Sequence, residues 1–298
     1  MKILFIFIDG LGVSKFNTAT NPCSNNSLKL FNNFSNRDRE TELPFSGLFK
    51  PIDACLSLAG LPQSATGQTA LLTGVNAAQL LGRHLSGYPN QKLRELLEKE
   101  SLLKIFSQQK KKAAFINAYR PIFFKFGPEA LIKYLSVTSI ANWKAGLKFY
   151  SFKDLKEEQS IYHDFTNVEL INKGFEVPIF SAEKAGTILA KTANSLDFCL
   201  YEYFKTDKAG HAQNMNSAIN LLQQLELFIL TVLKNTDLKT TLILVASDHG
   251  NIEDLSIKTH TRNLVPLIVW GKNSERFLEQ VEAIQDIAGA LLKLVFGY

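Results

Sequence analysis

Short runs of Ile, Val, Leu and Phe alternate along the chain with longer segments in which apolar residues recur every three or four positions. The first pattern suits buried strands and the second suits helices with one apolar face. Strands are predicted near 2–8 (KILFIFI), 112–117 (KAAFIN), 197–204 (DFCLYEYF), 241–246 (TLILVA) and 264–270 (LVPLIVW). Pro266 makes the last of these irregular or sets it near an edge, because proline has no N–H for a sheet. Helices are predicted over about 68–81, 91–108, 183–194, 212–235 and 277–295, and INLLQQLELFILTVL shows the spacing best. Apolar strands separated by helices specify an α/β fold, a mainly parallel sheet with helices on both faces.

Two stretches depart from this alternation. Residues 17–37 are rich in Asn and Ser and read as a polar surface loop after the first strand. Residues 119–177 hold many aromatics, weak periodicity and polar interruptions such as FKDLKEEQ, and read as a small cap inserted into a core made of 1–118 and 178–298.

With 298 residues, 46% of them hydrophobic, the chain can bury a full core. The opening MKILFIFI ends at Asp9-Gly10 without a small-residue cleavage site, so it is expected to be a strand and not a signal peptide. No later run reaches the roughly 20 uninterrupted apolar residues of a membrane span, so no membrane partner is expected. Cys23, Cys55 and Cys199 lack paired spacing, which points to a reducing, cytoplasmic setting. The net charge of +5 leans towards anionic partners, yet the dense basic run Lys110-Lys111-Lys112 leads straight into a strand and reads as a solvated turn. No basic stripe with interleaved aromatics appears, so no nucleic-acid partner is expected. The oligomeric state stays open.

Candidate chemistry gathers at strand ends. Asp9 follows the first strand, Asp207 the strand at 197–204, and Asp248-His249 the strand at 241–246, the ends at which open α/β sheets bind ligands. Three of the five histidines fall in TDKAGH, SDHGN and KTHTRN. Asp207 and His211, four apart, share a helix face, and with His260 they supply carboxylate and imidazole ligands for a divalent ion. Asp9, Asp248 and His249 would hold a second ion. Zinc and manganese suit these donors, with magnesium a further option. In GLPQSATGQTALLTG, Gly67 followed by Thr69 and an apolar run sets Thr69 at or near a helix N-terminus, where free N–H groups favour a phosphate. Metal coordination would make its hydroxyl a nucleophile, with Ser64 and Thr66 as rivals.

The motifs FIDGLG, LPQSATGQT, DKAGH, SDHGN and THTRNLVPLIVWG, in that order, resemble the alkaline phosphatase superfamily, in particular the branch of cofactor-independent phosphoglycerate mutase and phosphopentomutase. The resemblance implies an alkaline phosphatase-like core. It makes Thr69 the residue that is phosphorylated, sharing one metal with Asp9, Asp248 and His249, while Asp207, His211 and His260 bind the other. The phosphoglycerate mutases carry serine at the position assigned to Thr69, and they place a large domain where this chain has only 137 residues between Thr69 and Asp207.

A small cap favours hydrolysis, because a mutase must exclude water while the phosphoryl group moves. The expected function is therefore a two-metal phosphohydrolase acting on a small-molecule phosphate ester. A phosphomutase and a catalytically inactive metal-binding protein are the alternatives. Arg262, Asn263 and Lys205 are candidates for contacting substrate near the metals, and Arg120 and His163, within Tyr162-His163-Asp164, for contacting it from the cap.

Overall fold

The structure is a computed structural model that describes residues 1–35 and 43–297. Its strands are β1 (Lys2–Ile8), β2 (Leu48–Ile52), β3 (Ala113–Phe115), β4 (Phe198–Tyr203), β5 (Thr241–Ala246) and β6 (Val265–Gly271). They form one sheet in the order β2-β6-β5-β1-β4-β3. β5, β1, β4 and β3 are parallel, whereas β6 runs antiparallel to both β5 and β2. The sheet is thus mainly parallel, as the apolar runs predict.

Side chains of successive strand residues point to opposite faces, and here both faces are covered. Leu4, Ile6 and Ile8 of β1 join Tyr201 and Val245 in a core closed by the helices Ala182–Ala193 and Met215–Lys234. Ile3, Phe5 and Phe7 face the other way, into a core closed by Ser64–Thr73, Gln91–Glu100, Leu102–Gln108, Val137–Lys144 and Asp286–Phe296. Met215–Lys234 is long and apolar enough to cross a membrane. It nonetheless buries Leu222, Leu225, Phe228 and Ile229 in the protein core.

Several sequence expectations change in detail. The helical pattern at 68–81 is two helices, Ser64–Thr73 and Ala77–Leu81, divided at Gly74 in the left-handed region (φ 76°). The pattern at 91–108 is divided at Ser101, which caps the second helix by accepting the Lys104 N–H. β6 is a regular strand near an edge, second in the sheet between β5 and the edge strand β2. Pro266 stands opposite Pro51 of β2. Since neither has an N–H, the pair can only occupy a position where antiparallel strands exchange no backbone bond. Residues 17–35 are not a plain surface loop either. Cys23, Leu28, Leu30, Phe31 and Phe34 are buried, and the Glu226 carboxylate accepts the backbone N–H groups of Lys29, Leu30 and Phe31. Residues 36 and 37 of that stretch lie outside the described residues.

The reversal of β6 positions the site. A parallel return from β5 would need a long crossover to the far end of the sheet. The antiparallel return keeps both ends of the segment 247–264 at the carboxyl-terminal edge of β5, which holds Asp248, His249 and His260 in one neighbourhood.

Between β3 and Ala182–Ala193, Val137, Ile140 and Ala141 join one face's core, and Leu155, Ile161, Phe165 and Leu170 join the other's.

Gly67 lies inside Ser64–Thr73 and marks a close approach: a Cβ there would sit 2.8 Å from the Asp248 backbone carbonyl oxygen. Gly67→Ala should therefore destabilise the protein by about 1–3 kcal/mol, although alanine in a helix interior ordinarily gains about 1 kcal/mol over glycine. Urea denaturation of the variant checks this, and a gain in stability would contradict the packing described.

Candidate metal centre

The six ligand candidates meet at the carboxyl-terminal edge of the parallel strands. Asp9 is the residue after β1, and its N–H donates to the Tyr203 carbonyl at 2.9 Å. Gly10 then turns away with φ 72°, and a Cβ there would clash with the Asp207 side chain. After β4 the helix Lys205–Ala212 begins, and its first turns present Asp207 and His211. Asp248 and His249 lie just past β5 and are fully buried.

These residues form two groups. In each, Asp207/His211/His260 and Asp9/Asp248/His249, ligand atoms lie within 4.8 Å of one another. The groups adjoin, because the His249 and His260 rings stack with centroids 3.7 Å apart and planes 14° from parallel.

Backbone carbonyls orient the imidazoles. His260 Nδ1 lies 2.8 Å from the Pro62 oxygen, His211 Nδ1 2.7 Å from the Lys258 oxygen, and His249 Nδ1 3.4 Å from the Gly250 oxygen. Each carbonyl is an acceptor and favours a proton on Nδ1, which leaves Nε2 for the centre. His249 Nε2 lies 3.2 Å from Asp9 Oδ1 and 3.5 Å from Asp248 Oδ2. His260 Nε2 is 3.4 Å from Asp207 Oδ1, and His211 Nε2 is 3.4 Å from Asp207 Oδ2.

The electrostatics suit a cation. Burial, then the Asp9 charge, pushes the Asp248 carboxyl well above the usual carboxylate range. Burial alone would lower the His249 pKa, but Asp248 and Asp9 overcome it and raise it to about 10. Burial opposes ionisation of Asp207 as well, yet its bond to His260 and the charge of His249 pull it down to about 2. Asp9 Oδ1 is buried, with the His249 ring at 3.2 Å as its one polar contact. A cluster of buried carboxyls that holds surplus protons fits divalent ions, which would neutralise the charge those protons now offset.

Thr69 is not at the helix start, where the sequence reading sets it. The helix begins at Ser64, so Thr69 is its sixth residue and lies in its interior. Thr69 is completely buried, and its hydroxyl donates to the Ala65 carbonyl at 2.6 Å. Gly67, taken from sequence as the mark of a helix start, serves the close approach to Asp248 instead. Ser64 stands at the first helical position, half-buried, with Oγ 3.0 Å from His249 Nε2. Thr66 faces away, donating to the Gln63 carbonyl and accepting the Leu85 N–H.

The structure also shows supporting residues that the motifs did not single out. Gln68 Nε2 donates to Asp9 Oδ2 at 3.3 Å and to Asp248 Oδ2 at 3.2 Å. Asn251 Nδ2 donates to Asp207 Oδ1 at 2.7 Å. The buried Glu253 carboxylate accepts the N–H groups of Gly12 and Asn251, the Thr261 hydroxyl and the Asn263 amide, and so ties together the loops that carry the ligands. Glu253 stands two residues after SDHGN, which was the available signal.

The substrate candidates divide. Asn263 spends its amide on Glu253, and Arg262 donates to the Gly60 carbonyl. Lys205 pairs with Glu169 at 3.5 Å. Arg120 and His163 line a cavity beside the ligand cluster. The three cysteines are buried and unpaired.

An α/β sheet with paired acidic and imidazole clusters at its carboxyl edge defines a candidate metalloenzyme. The family model of the Metalloenzyme superfamily matches residues 1–296, and the chain belongs to that superfamily. The 2,3-bisphosphoglycerate-independent phosphoglycerate mutase of Laribacter hongkongensis is 31% identical over 127 residues, covering 40% of this chain and 25% of that protein. The protein of the same name from Prochlorococcus marinus is 26% identical over 211 residues, covering 60% and 38%. The matches thus span well under two thirds of these relatives' length. Among solved structures, the alkaline phosphatase of the Antarctic bacterium TAB5 superposes with a TM-score of 0.55 at 14% identity, covering 98% of this chain and 97% of that one. The resemblance read from the motifs holds at the level of superfamily and fold, and the family and the donor groups support divalent metals.

Because His249 holds a proton near neutrality, binding Mn²⁺ or Zn²⁺ should release about one proton per protein or more, and affinity should rise with pH. Calorimetric titrations in two buffers of different ionisation heat measure this. Affinity unchanged between about pH 6 and pH 8 would contradict it.

Proposed function

We propose that this protein is a metal-dependent phosphohydrolase that cleaves a small-molecule phosphate ester through a phosphoserine at Ser64. The observation that carries this reading is the Ser64 Oγ, 3.0 Å from His249 Nε2 at the start of a ten-residue helix. Asp9, Asp248 and His249 are the proposed ligands of one divalent ion, and Asp207, His211 and His260 those of the other. Ions held there supply Lewis acidity towards phosphate oxygens and the serine hydroxyl. The helix N-terminus adds unpaired N–H groups and a partial positive charge for the phosphate. Ser64 Oγ then bonds to phosphorus as the ester oxygen leaves, and water attacks the phosphoserine to return the free serine and phosphate. Gln68 and Asn251 hold the carboxylates in position through both steps.

The segment 119–177, read from sequence as a small cap, packs Val137 and Ile140 into one core and Leu155 and Ile161 into the other, so it is tied down and not free to close as a mutase's cap must, which supports hydrolysis. Tyr88 and Tyr134, at the cavity beside the cluster, are largely exposed, so water has access there. A second reading, phosphomutase, is favoured by the curated relatives. It gains from Ser64, because the departure from phosphoglycerate mutases attributed to Thr69 lapses once a serine occupies the reactive position.

With Mn²⁺ or Zn²⁺ bound, wild type should release phosphate from an aryl phosphate monoester, and Ser64→Ala should lose about a thousandfold or more. Thr69→Val should keep turnover while losing about 1 kcal/mol of stability for the buried hydroxyl bond. Activity that survives Ser64→Ala but not Thr69→Val would reverse the assignment. A positional isomer of a sugar phosphate formed without free phosphate would establish the mutase.

A further inference from the structure

A cavity of about 560 Å³ lies beside the metal centre, within the usual size of small-molecule sites. Asn117 and Ala118, which follow β3, line it together with Glu202, near the end of β4, and with Phe204 and Lys208 at the start of the helix carrying Asp207 and His211. β1, β4 and β3 are parallel neighbours, so the cavity opens at the same sheet edge as the ligand clusters.

Its walls are aromatic. Tyr119 and Phe123 pack with ring centroids 4.5 Å apart. Tyr88 and Tyr134 meet edge to face at 6.3 Å while 51% and 69% exposed. Rings left in water gain by covering a flat apolar ligand.

Two largely buried polar residues stand on its lining. His163 is 9% exposed and lies between the rings of Tyr162 and Phe204, each with its centroid at 4.0 Å. Its Nε2 is 3.4 Å from Glu169, whereas its Nδ1 is buried without a partner. Burial, then the charges of Lys208, Lys173, Lys205 and Arg120, push its pKa down to about 2, so the ring is neutral and stands as a flat wall of the cavity. Glu202 is 5% exposed and accepts the Thr138 hydroxyl. Burial pushes its carboxyl up to about 8, so near neutrality it carries a proton and can donate. Arg120, Lys173 and Lys208 outnumber Glu169 along the lining, which suits an anionic ester.

We infer that this cavity receives the leaving group, and that the leaving group is a flat heterocyclic ring system of nucleoside size, with an acceptor for Glu202. The substrates are then ring-bearing phosphate esters and not short aliphatic ones. This assignment rests on the phosphoryl transfer proposed for Ser64.

The test pairs binding with turnover on the metal-loaded protein. Adenosine binding is measured by calorimetry, and phosphate release is compared for adenosine 5′-monophosphate and glycerol 1-phosphate. Adenosine should bind, and kcat/KM should favour the nucleotide by about tenfold or more, the worth of one good hydrogen bond. Tyr88→Ala, which removes the other exposed ring of the rim pair, should weaken adenosine binding by about tenfold. Tyr134→Ala, at an exposed rim position, should reduce the preference for the nucleotide. No adenosine binding together with equal or better use of glycerol 1-phosphate overturns the inference and leaves the Ser64 chemistry standing. Adenosine binding weakened by both variants, with neither ester turned over, supports the cavity assignment and overturns the proposed reaction. Neither binding nor turnover overturns both.

Discussion

Negative charge that the fold cannot neutralise alone organises this protein. Asp9 and Asp248 approach the same imidazole from the ends of adjacent parallel strands, and Asp248 is fully enclosed. Removing two carboxylates from water costs several kcal/mol per ion unless a cation and hydrogen bonds compensate. The Gln68 amide and the protons held by His249 and Asp248 take the place of that cation, and Asp9 Oδ1 has the His249 ring at 3.2 Å as its one polar contact. Such an arrangement survives because the surrounding sheet and helices impose it.

The same constraint explains features remote from the cluster. Gly67 is small so that the Ser64 helix can lie against the Asp248 backbone, and that contact sets the first helical residue beside His249. The reversed strand β6 keeps the loop bearing His260 at the ligand edge. Glu253, buried yet saturated by donors from three loop segments, holds that loop in shape. Changes at these positions would displace the candidate ligands and the proposed nucleophile.

The sheet was largely legible because buried strands carry a continuous apolar run, and β1, β3, β4, β5 and β6 all carry one. β2 escaped because Leu48–Ile52 is short, mostly half-buried and interrupted by Lys50 and Pro51. Five of the six ligand candidates were readable because each follows a strand or sits at helical spacing from another, and His260 was readable from its KTHTRN motif. The proposed nucleophile was not. Gly67 has the composition of a helix boundary, and only tertiary contact shows that it lies within the helix, which turns Thr69 inward and brings Ser64 to the centre. Glu202 and His163 illustrate a second limit, since their states depend on burial supplied by segments distant in sequence.

The most direct test of this account is to locate the covalent intermediate. Metal-loaded protein turning over a phosphate monoester is quenched in acid, and the peptide spanning residues 60–74 is mapped by mass spectrometry. The account predicts phosphate on Ser64. Phosphate on Thr66 or Thr69, or turnover that never labels this peptide, would contradict it.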